Sequence, residues 1–366
     1  IDAMAARRGE DPVVERELLR QWYNGYRFSS DVDSSLTLYN PLSIMTVLKD
    51  MEIKNIWFNT GQPAFFDKFL KNNFKLIDDL QLPHIESIND MLASLDIHFL
   101  TTETPLTDQT LAWQLLYQTG YLTIKSVLIN KAIGPNDLVL NYPNLEVSAS
   151  LAQHIVIAES IFTRSSITGF SSYLRDAALA GDVDGMAQVI REALATVPNI
   201  VLNKDEHYFH VLVHFMLQAA GFQTFLEVAV SGGRIDLYFE VPSIVYVIEF
   251  KQGLPAKAAL QQILDQRYHE RWLSSGKPIY LVGLAFTKKS KKPVAVACEW
   301  QMVKRTAPRK LTGKTTGKTV VKVAGKPVVK KIVLAKPLAT KVSLRDTSDA
   351  SVIGKGKVVK KTSKKK

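Results

Sequence analysis

Apolar and polar positions divide the chain into a helical N-terminal part and a mixed C-terminal part. Residues 10–24 have helical spacing that ends at Asn24-Gly25. Asn40-Pro41 predicts the start of another helix, because proline suits a first helical turn. Gly61-Gln62-Pro63 predicts the start of a third, whose apolar side chains recur at helical spacing: Phe65, Phe66, Phe69 and Leu70.

One helix and a β-hairpin are predicted next along the chain. Thr107-Asp108 can cap the helix, and Gly120 can end it. A turn at Gly134-Pro135-Asn136-Asp137 separates two segments with the composition of strands, residues 121–124 and 138–142. A helix followed by a β-hairpin is typical of the end of a winged-helix unit.

Two features of this N-terminal part allow more than one interpretation. The helix at 109–118 could bind a duplex, but it has no Lys or Arg for phosphate contacts, which favours a structural role. An aromatic set could stack on bases, although packing in the core and in turns is favoured: Trp22, Tyr23, Tyr26 and Phe28.

The C-terminal part alternates helices with strands. We expect helices at 146–162, at 171–196 with a break at Gly181-Asp182, at 204–220 and at 256–273. We expect strands at 222–230, 234–240, 244–250 and 278–286. From residue 204 the predicted order is α-β-β-β-α-β, which is a mixed α/β fold.

The charge is concentrated at the C-terminal end. Residues 301–366 contain 20 Lys and Arg and 2 Asp, a charge of +18, whereas residues 1–300 contain 26 basic and 33 acidic residues, a charge of −7. After about Ala307, Lys alternates with Val, Thr, Gly and Ala, which predicts a disordered tail. Such a tail favours nucleic acid or another polyanion, or serves only as a solvated extension.

Cysteine content and hydropathy indicate the cellular setting. Cys298 is the one cysteine, so no internal disulfide is possible and a reducing, cytoplasmic location is expected. No apolar run approaches the roughly 18 residues of a membrane span, so no membrane partner is expected. The chain starts at Ile1 without an initiator Met, which suggests a fragment or a truncated frame.

Charged residues end two neighbouring predicted strands, and they are the strongest chemical signal. Asp236 follows Gly233-Arg234-Ile235, while Glu249 and Lys251 end an apolar strand. Because side chains alternate along a strand, Glu249 and Lys251 point the same way, and Asp236 can join them in a hairpin. Two carboxylates and a lysine can hold a divalent cation beside a nucleophilic water. A solvated ion pair at the strand end is the simpler alternative.

The C-terminal half resembles the PD-(D/E)XK nuclease superfamily, with a restriction-endonuclease-like core. The resemblance rests on the strand order and on three motifs: Gly233-Arg234-Ile235-Asp236-Leu237, Tyr246-Val247-Ile248-Glu249-Phe250-Lys251, and Ala259-Leu260-Gln261-Gln262-Ile263 with Tyr268. Within this superfamily, the C-terminal half is most similar to the nuclease domain that follows an AAA-ATPase-like domain in bacterial proteins of unknown role. Ile235 stands where the superfamily name has proline.

The N-terminal half resembles the end of that ATPase-like domain. The matching segments are Trp22-Tyr23-Asn24-Gly25-Tyr26-Arg27-Phe28, Leu38-Tyr39-Asn40-Pro41-Leu42-Ser43 and Trp57-Phe58-Asn59-Thr60-Gly61-Gln62-Pro63. No G-x-x-x-x-G-K-[ST] motif is present, since Gly317-Lys318-Thr319 would require glycine where Thr312 stands. ATP hydrolysis by this chain is therefore not expected, and an ATPase could act in trans.

The resemblance implies the roles of the site residues. Asp236, Glu249 and the main-chain carbonyl of Phe250 would bind Mg²⁺, or alternatively Mn²⁺, and Lys251 would orient or deprotonate the attacking water. Glu206 would bind the metal, directly or through water, and Gln262 would hydrogen-bond nearby. Glu206 with His210 could instead be an ordinary helix-surface pair, and Gln262 a plain exposed residue.

These observations predict three regions and one activity. The regions are an ATPase-like remnant at 1–165, a nuclease-like domain at 166–305 and a Lys-rich tail at 306–366. The expected activity is hydrolysis of phosphodiester bonds in nucleic acid, DNA rather than RNA. The alternative is a non-catalytic nucleic-acid-binding or interaction protein that keeps the nuclease fold as a scaffold.

Overall fold

Helices predominate before residue 82 in the computed structural model, which describes residues 1–60, 65–73, 82–95, 109–130, 135–160, 162–197, 206–230, 232–287 and 295–303. The first elements are α1 (Asp2–Arg8), α2 (Pro12–Tyr23), β1 (Asn24–Tyr26), β2 (Leu38–Tyr39), α3 (Pro41–Asp50), α4 (Trp57–Thr60) and α5 (Phe65–Asn72). Asn40 Oδ1 accepts the amide N–H groups of Leu42 and Ser43 at 3.0 and 3.3 Å, so the predicted start of α3 is confirmed. Gly61-Gln62-Pro63 lies outside the described residues.

A three-stranded antiparallel sheet with two helices follows. The elements are β3 (His84–Ser87), α6 (Ile88–Leu92), α7 (Gln109–Gln118), β4 (Thr123–Leu128) and β5 (Asp137–Asn141), with sheet order β3-β5-β4. The predicted strand at residue 121 was placed two residues early. Tyr121 and Leu122 donate their amides to Leu116 O at 2.8 and 3.0 Å, so they close the end of α7 instead. Thr107-Asp108 and Gly134 lie outside the described residues, and the winged-helix interpretation stays a prediction.

Three helices lead to the C-terminal sheet. They are α8 (Leu145–Glu159), α9 (Arg164–Ala180) and α10 (Val183–Ala195). Gly181 adopts φ 74° and Asp182 accepts the amide of Gly185 at 2.9 Å, so the predicted break between α9 and α10 is confirmed. Within the described ranges no single helix could cross a membrane; only α8 and α9 taken together, bent by 118°, reach the necessary length and apolar composition.

The C-terminal part is a five-stranded mixed sheet with helices. The elements are α11 (Glu206–Ala219), β6 (Thr224–Val230), β7 (Gly233–Val241), β8 (Ile244–Gln252), α12 (Ala256–Asp265), a 3₁₀ helix (Tyr268–Trp272), β9 (Ile279–Thr287) and β10 (Ala295–Val303). The sheet order is β10-β9-β8-β7-β6, with β8 and β9 parallel and the other pairs antiparallel. The mixed α/β class is confirmed, and β10 was not predicted.

The single helix predicted over 256–273 is wrong. Arg267 adopts the left-handed conformation with φ 57°, which interrupts the helix after Asp265. The following 3₁₀ helix buries Tyr268 and Trp272 against the sheet. Burial of these two rings therefore decides the local course of the chain, which helical periodicity alone does not show.

Two hydrophobic clusters cover the two faces of the large sheet. One face packs with α11 through Leu237, Phe239, Ile248 and Phe250. The cluster on this face also includes buried residues of the N-terminal part, and its members in sequence run from Tyr26 to Val296. The other face packs with α12 and the 3₁₀ helix through these buried residues: Ile235, Tyr238, Val245, Val247, Ile263, Ile279 and Leu281. Residues 1–308 form one compact unit, and the boundary expected at residue 165 stays a prediction.

Candidate functional site

The register of β7 and β8 brings Asp236 to Glu249. Leu237 pairs with Ile248, so the next position places Asp236 opposite Glu249 on the same face of the sheet. The paired part of the two strands ends at Leu237 and Ile248. Next to it, the amide of Phe250 donates to the side-chain Oδ2 of Asp236 at 2.9 Å. The predicted hairpin therefore places the carboxyl groups of Asp236 and Glu249 together.

Lys251 closes this group from the end of β8. Its Nζ donates to Glu249 Oε1 at 3.0 Å and to the main-chain carbonyl of Phe250 at 2.8 Å. Glu249 is 1% exposed, while the Lys251 side chain is 19% exposed. The pair is thus a buried carboxylate with a partly accessible ammonium, unlike the solvated ion pair considered from the sequence.

Burial and mutual repulsion set the protonation of the two acids. Burial and the charge of Asp236 together raise the pKa of Glu249 to about 8, although Lys251 opposes both effects. Burial likewise raises the pKa of Asp236, while the Phe250 amide and the Lys251 charge lower it. The two carboxyls are close enough to share one proton, as expected for adjacent acids.

Glu249 also has a buried oxygen with capacity to bind. Its Oε2 receives no hydrogen bond from an amide, hydroxyl or ammonium within the described part of the chain. A buried carboxylate oxygen without a donor is costly unless a cation or a proton satisfies it. Two adjacent carboxylates with one such oxygen are the donor set that a hard divalent cation prefers.

Glu206 reaches the same region from α11. Its Oε2 accepts the Gln252 amide at 2.6 Å, and its Oε1 lies 3.7 Å from Nε2 of His210. The His210 ring stacks on Phe250 with centroids 4.4 Å apart and planes at 26°. The i, i+4 pair expected from the sequence is present, but it lies against the end of β8 rather than on an open helix surface.

Glu227 is a residue at this site that the sequence analysis missed. Leu226 pairs with Leu237 and Val228 with Ile235, so Glu227 lies opposite Asp236 on β6. Glu227 has φ 55° and forms an ion pair with Arg234. The available signal was that Glu227 is the only charged residue in β6.

Asp236 forms a cluster with His210 and Glu227 on the side that faces β6. One ligand atom each from His210, Glu227 and Asp236 lies within 4.8 Å of the other two. Burial raises the pKa of Glu227, and the charge of Asp236 adds to that rise, whereas Arg234 and His207 lower it. Asp236 therefore stands between Glu249 on one neighbouring strand and Glu227 on the other.

The segment that carries these residues matches a known family. Residues 204–295 match the family described as the PD-(D/E)XK nuclease superfamily. This segment is a PD-(D/E)XK nuclease superfamily domain. The match does not extend to the N-terminal half. It contains the charged and ligand-type residues described above: Glu206, His210, Glu227, Asp236, Glu249 and Lys251. The resemblance of that half to an ATPase-like domain stays a prediction.

One curated relative is similar over most of the chain. It is a protein of Azotobacter chroococcum mcd 1, described as an uncharacterized protein in the vnfD 5' region, and is 30% identical over 307 residues. The similarity covers 82% of this chain and 55% of the relative, so the chain spans about half the length of that protein. No solved structure matches the chain.

Gln262 is not joined to the other predicted residues of the nuclease domain. It lies half-buried on α12, and among the described residues its side chain has no hydrogen bond to the acidic group. The helix itself is close, because a Cβ on Gly283, the β9 partner of Glu249, would lie 2.3 Å from Ala256 O. The predicted role of Gln262 stays a prediction.

Burial disfavours a catalytic role for two other ionisable side chains, His214 and Cys298. His214 Nδ1 hydrogen-bonds Thr224 Oγ1 at 2.7 Å, and burial lowers the pKa of His214 to about 3, so the ring is neutral packing. Burial raises the pKa of the Cys298 thiol to about 12, which disfavours the reactive thiolate. Neither residue competes with the acidic group as a catalytic candidate.

Proposed function

We propose that this protein is a metal-dependent nuclease that hydrolyses phosphodiester bonds of nucleic acid. The observation that carries the proposal is the pair of the buried Glu249 and the half-buried Asp236, with Lys251 at its accessible side, inside a domain of the PD-(D/E)XK nuclease superfamily. Asp236, Glu249 and the Phe250 carbonyl would hold Mg²⁺, with Mn²⁺ as the alternative. DNA is the favoured substrate.

The chain's own groups fit such a cation. A divalent ion would relieve the repulsion between Asp236 and Glu249. It would also satisfy Glu249 Oε2, which has no donor among the described residues. When bound, the ion supplies a water of lowered pKa and neutralises charge that develops on the phosphate. The donor set therefore supports Mg²⁺ or Mn²⁺ chemistry at this position.

Lys251 and Glu206 have separate tasks in this proposal. Lys251 is held beside the pair by Glu249 and the Phe250 carbonyl, so its partly exposed ammonium can orient a water and offset phosphate charge. Glu206 fixes the end of β8 through the Gln252 amide and positions the site. Its direct contact with a metal remains part of the proposal.

A cleavage assay on the full chain tests the proposed function. Labelled single- and double-stranded DNA and RNA are incubated with Mg²⁺ or Mn²⁺, with and without chelator. We expect Asp236→Asn and Lys251→Ala each to reduce the rate by a factor of about 10² or more, the range for loss of a transition-state contact.

Matched controls exist at the other end of β7. Lys277 Nζ donates to Glu240 Oε2 at 3.1 Å, an acid–lysine pair far from the acidic group. Glu240→Gln and Lys277→Ala should leave cleavage within about twofold of the parent. Metal-independent cleavage, or equal activity in Asp236→Asn, would overturn the proposal; nucleic-acid binding without cleavage would favour the scaffold role.

A further inference from the structure

A polar cavity of about 220 Å³ lies in the N-terminal part, outside the segment that matches the nuclease superfamily. Its polar lining comes from separate elements: Arg20 and Gln21 on α2, Asn24 on β1, Thr37 just before β2, and Lys125 on β4. Two of these side chains are cationic and three are neutral groups that can donate hydrogen bonds. No acidic side chain of the described residues lines the cavity, so the lining favours an anion.

A close approach of two main-chain segments forms one wall of the cavity. Gly25 adopts φ 133°, and a Cβ there would lie 1.9 Å from the carbonyl oxygen of Pro143. Only glycine therefore allows β1 to lie this close to the segment between β5 and α8. Gly25 belongs to the aromatic-rich segment 22–28, which has no part in the proposed nuclease chemistry, and it is needed to shape this cavity.

A β-bulge sets the position of Lys125. The register between β4 and β5 shifts between Ile124 and Ser126, so Lys125 is the extra residue of β4. Bulges re-aim a side chain away from the regular alternation of a strand. The buried Arg27 fixes this bulge, because its Nη1 donates to the carbonyl oxygen of Lys125 at 3.3 Å.

The Lys125 ammonium has few partners. Its Nζ donates to the carbonyl oxygen of Pro143 at 3.4 Å, and no carboxylate of the described residues forms an ion pair with it. Partial burial of the ammonium lowers the pKa of Lys125, because desolvation disfavours the charged form. An anion in the cavity would supply the missing counter-charge.

Glu17 holds Arg20 and Gln21 from outside the cavity. Nε and Nη2 of Arg20 each donate to the Glu17 carboxylate at 2.8 Å, and Nε2 of Gln21 donates to it at 3.0 Å. The Arg20 and Glu17 side chains are 61% and 47% exposed, so this ion pair costs little to open. An anion in the cavity therefore competes with Glu17 for both side chains.

We propose that this cavity binds a small ligand through a terminal phosphate group held between Lys125 and Arg20. Such a group carries roughly two negative charges at pH 7, which match the two cations. Its three terminal oxygens can accept from the amide and hydroxyl groups of Gln21, Asn24 and Thr37. A carboxylate offers one charge and two oxygens, so it matches this lining less well.

The size of the cavity limits the ligand. At roughly 30 Å³ for each water, the volume corresponds to about seven waters, which is room for a phosphate and part of the group that carries it. Free inorganic phosphate and a mononucleotide both present this group. The site is independent of the proposed nuclease function, because none of its residues belongs to the acidic group.

Calorimetric titration of the full chain tests the proposal, with inorganic phosphate and a nucleoside 5′-monophosphate as separate ligands in the presence of chelator. Lys125→Gln should weaken binding by about tenfold or more, the range for a hydrogen bond between charged groups. Glu17→Gln should strengthen binding severalfold, because it frees Arg20 and Gln21. Lys277→Ala removes a cation elsewhere and should match the parent. The tail is the same in every variant, so its own attraction for phosphate does not change between them.

The outcomes separate the site from the alternatives. No binding by the parent, or equal affinity in the parent, Lys125→Gln and Glu17→Gln, would overturn the site. Acetate that binds as tightly as phosphate would overturn the assignment to a phosphate group. Tighter binding in Glu17→Gln cannot result from unfolding, so it supports the site by itself. The tighter of the two phosphate ligands identifies the natural source, and any failure here leaves the proposed nuclease function untouched.

Discussion

At the scale of single residues, the protein concentrates unfavourable charge at one place. Asp236 and Glu249 lie opposite each other on neighbouring strands, Glu227 lies on the far side of Asp236, and all three carboxyls have raised pKa values because of burial. Buried like charges destabilise a fold unless protons or cations compensate them. The cost is consistent with a site that is kept for binding rather than for stability.

The pH dependence of stability tests this view of Glu249. Its folded pKa of about 8 lies above the ordinary value of 4.5, so the folded state binds the proton more tightly than the unfolded state. With chelator present, Glu249 should contribute most to the free energy of unfolding below about pH 4.5. This contribution should be lost as the pH rises from there through 8. Since a pKa difference of one corresponds to about 1.4 kcal/mol, the difference between 4.5 and about 8 corresponds to a loss on the order of 5 kcal/mol.

Glu249→Gln provides the comparison. The amide cannot ionise, so the difference in unfolding free energy between variant and parent should grow in favour of the variant between pH 5 and about 8.5. Urea unfolding at several pH values with chelator measures it. A parallel pH dependence in both proteins would contradict the assigned protonation. Added Mn²⁺ should remove part of the difference, because the ion replaces the proton on the parent.

At the scale of elements, the position of α12 depends on a residue without a side chain. Gly283 on β9 pairs with Glu249, and a Cβ there would lie 2.3 Å from Ala256 O and 2.6 Å from Leu260 N. The helix therefore packs on the sheet backbone next to the acidic group. This close packing also explains the nearly continuous apolar character of β9, which is buried on both faces.

Gly283→Ala should push α12 away from the sheet. Overpacking of this kind typically costs about 1–3 kcal/mol, and the shift should also weaken metal binding at Asp236 and Glu249. Thermal unfolding and Mn²⁺ titration measure the two effects. Gly169→Ala is the matched control, because a Cβ at this exposed position of α9 meets nothing within 4 Å. It should be neutral or stabilise by up to about 1 kcal/mol.

A buried carboxylate also joins elements in the helical part. Glu146, in the first turn of α8, accepts the amides of Ile56 and Trp57 at 2.8 and 3.0 Å and so caps α4 from a distance in sequence. Burial raises the pKa of Glu146, and the two amides lower it. This contact gives the N-terminal helices a fixed relation to α8, which itself packs against α11 of the nuclease domain.

At the scale of the whole molecule, charge separates the tail from the rest. Residues 301–366 carry +18 and residues 1–300 carry −7. The acidic group at the end of β7 and β8 therefore belongs to a part of the chain that repels nucleic acid overall. If the proposed function holds, the tail would supply the attraction for nucleic acid that the rest of the chain lacks.

Deletion of residues 309–366 tests the contribution of the tail. Residues 1–308 form one compact unit without them, so they should keep their fold and their metal affinity. Nucleic-acid affinity at low salt should fall, and its logarithm should depend less steeply on the logarithm of salt concentration. Fluorescence anisotropy with a labelled duplex at several salt concentrations measures both. An unchanged salt dependence would show that the tail does not contact phosphate.

The sequence by itself determined the elements whose signals are local. Asn40 caps α3, Gly181 separates α9 from α10, and the alternating strands around Asp236 and Glu249 predicted that these two carboxyls meet. Caps, left-handed glycines and strand alternation act over a few residues, so they are readable from the chain alone.

Only the tertiary structure decided which distant residues join that pair. Glu227 faces Asp236 because of the register between β6 and β7. His210 lies beside Asp236 because its ring, on α11, stacks on the ring of Phe250. The 3₁₀ helix after Arg267 likewise follows from burial of Tyr268 and Trp272. Strand register and helix docking are set by how the whole core fills space, and no local pattern in one sequence specifies that.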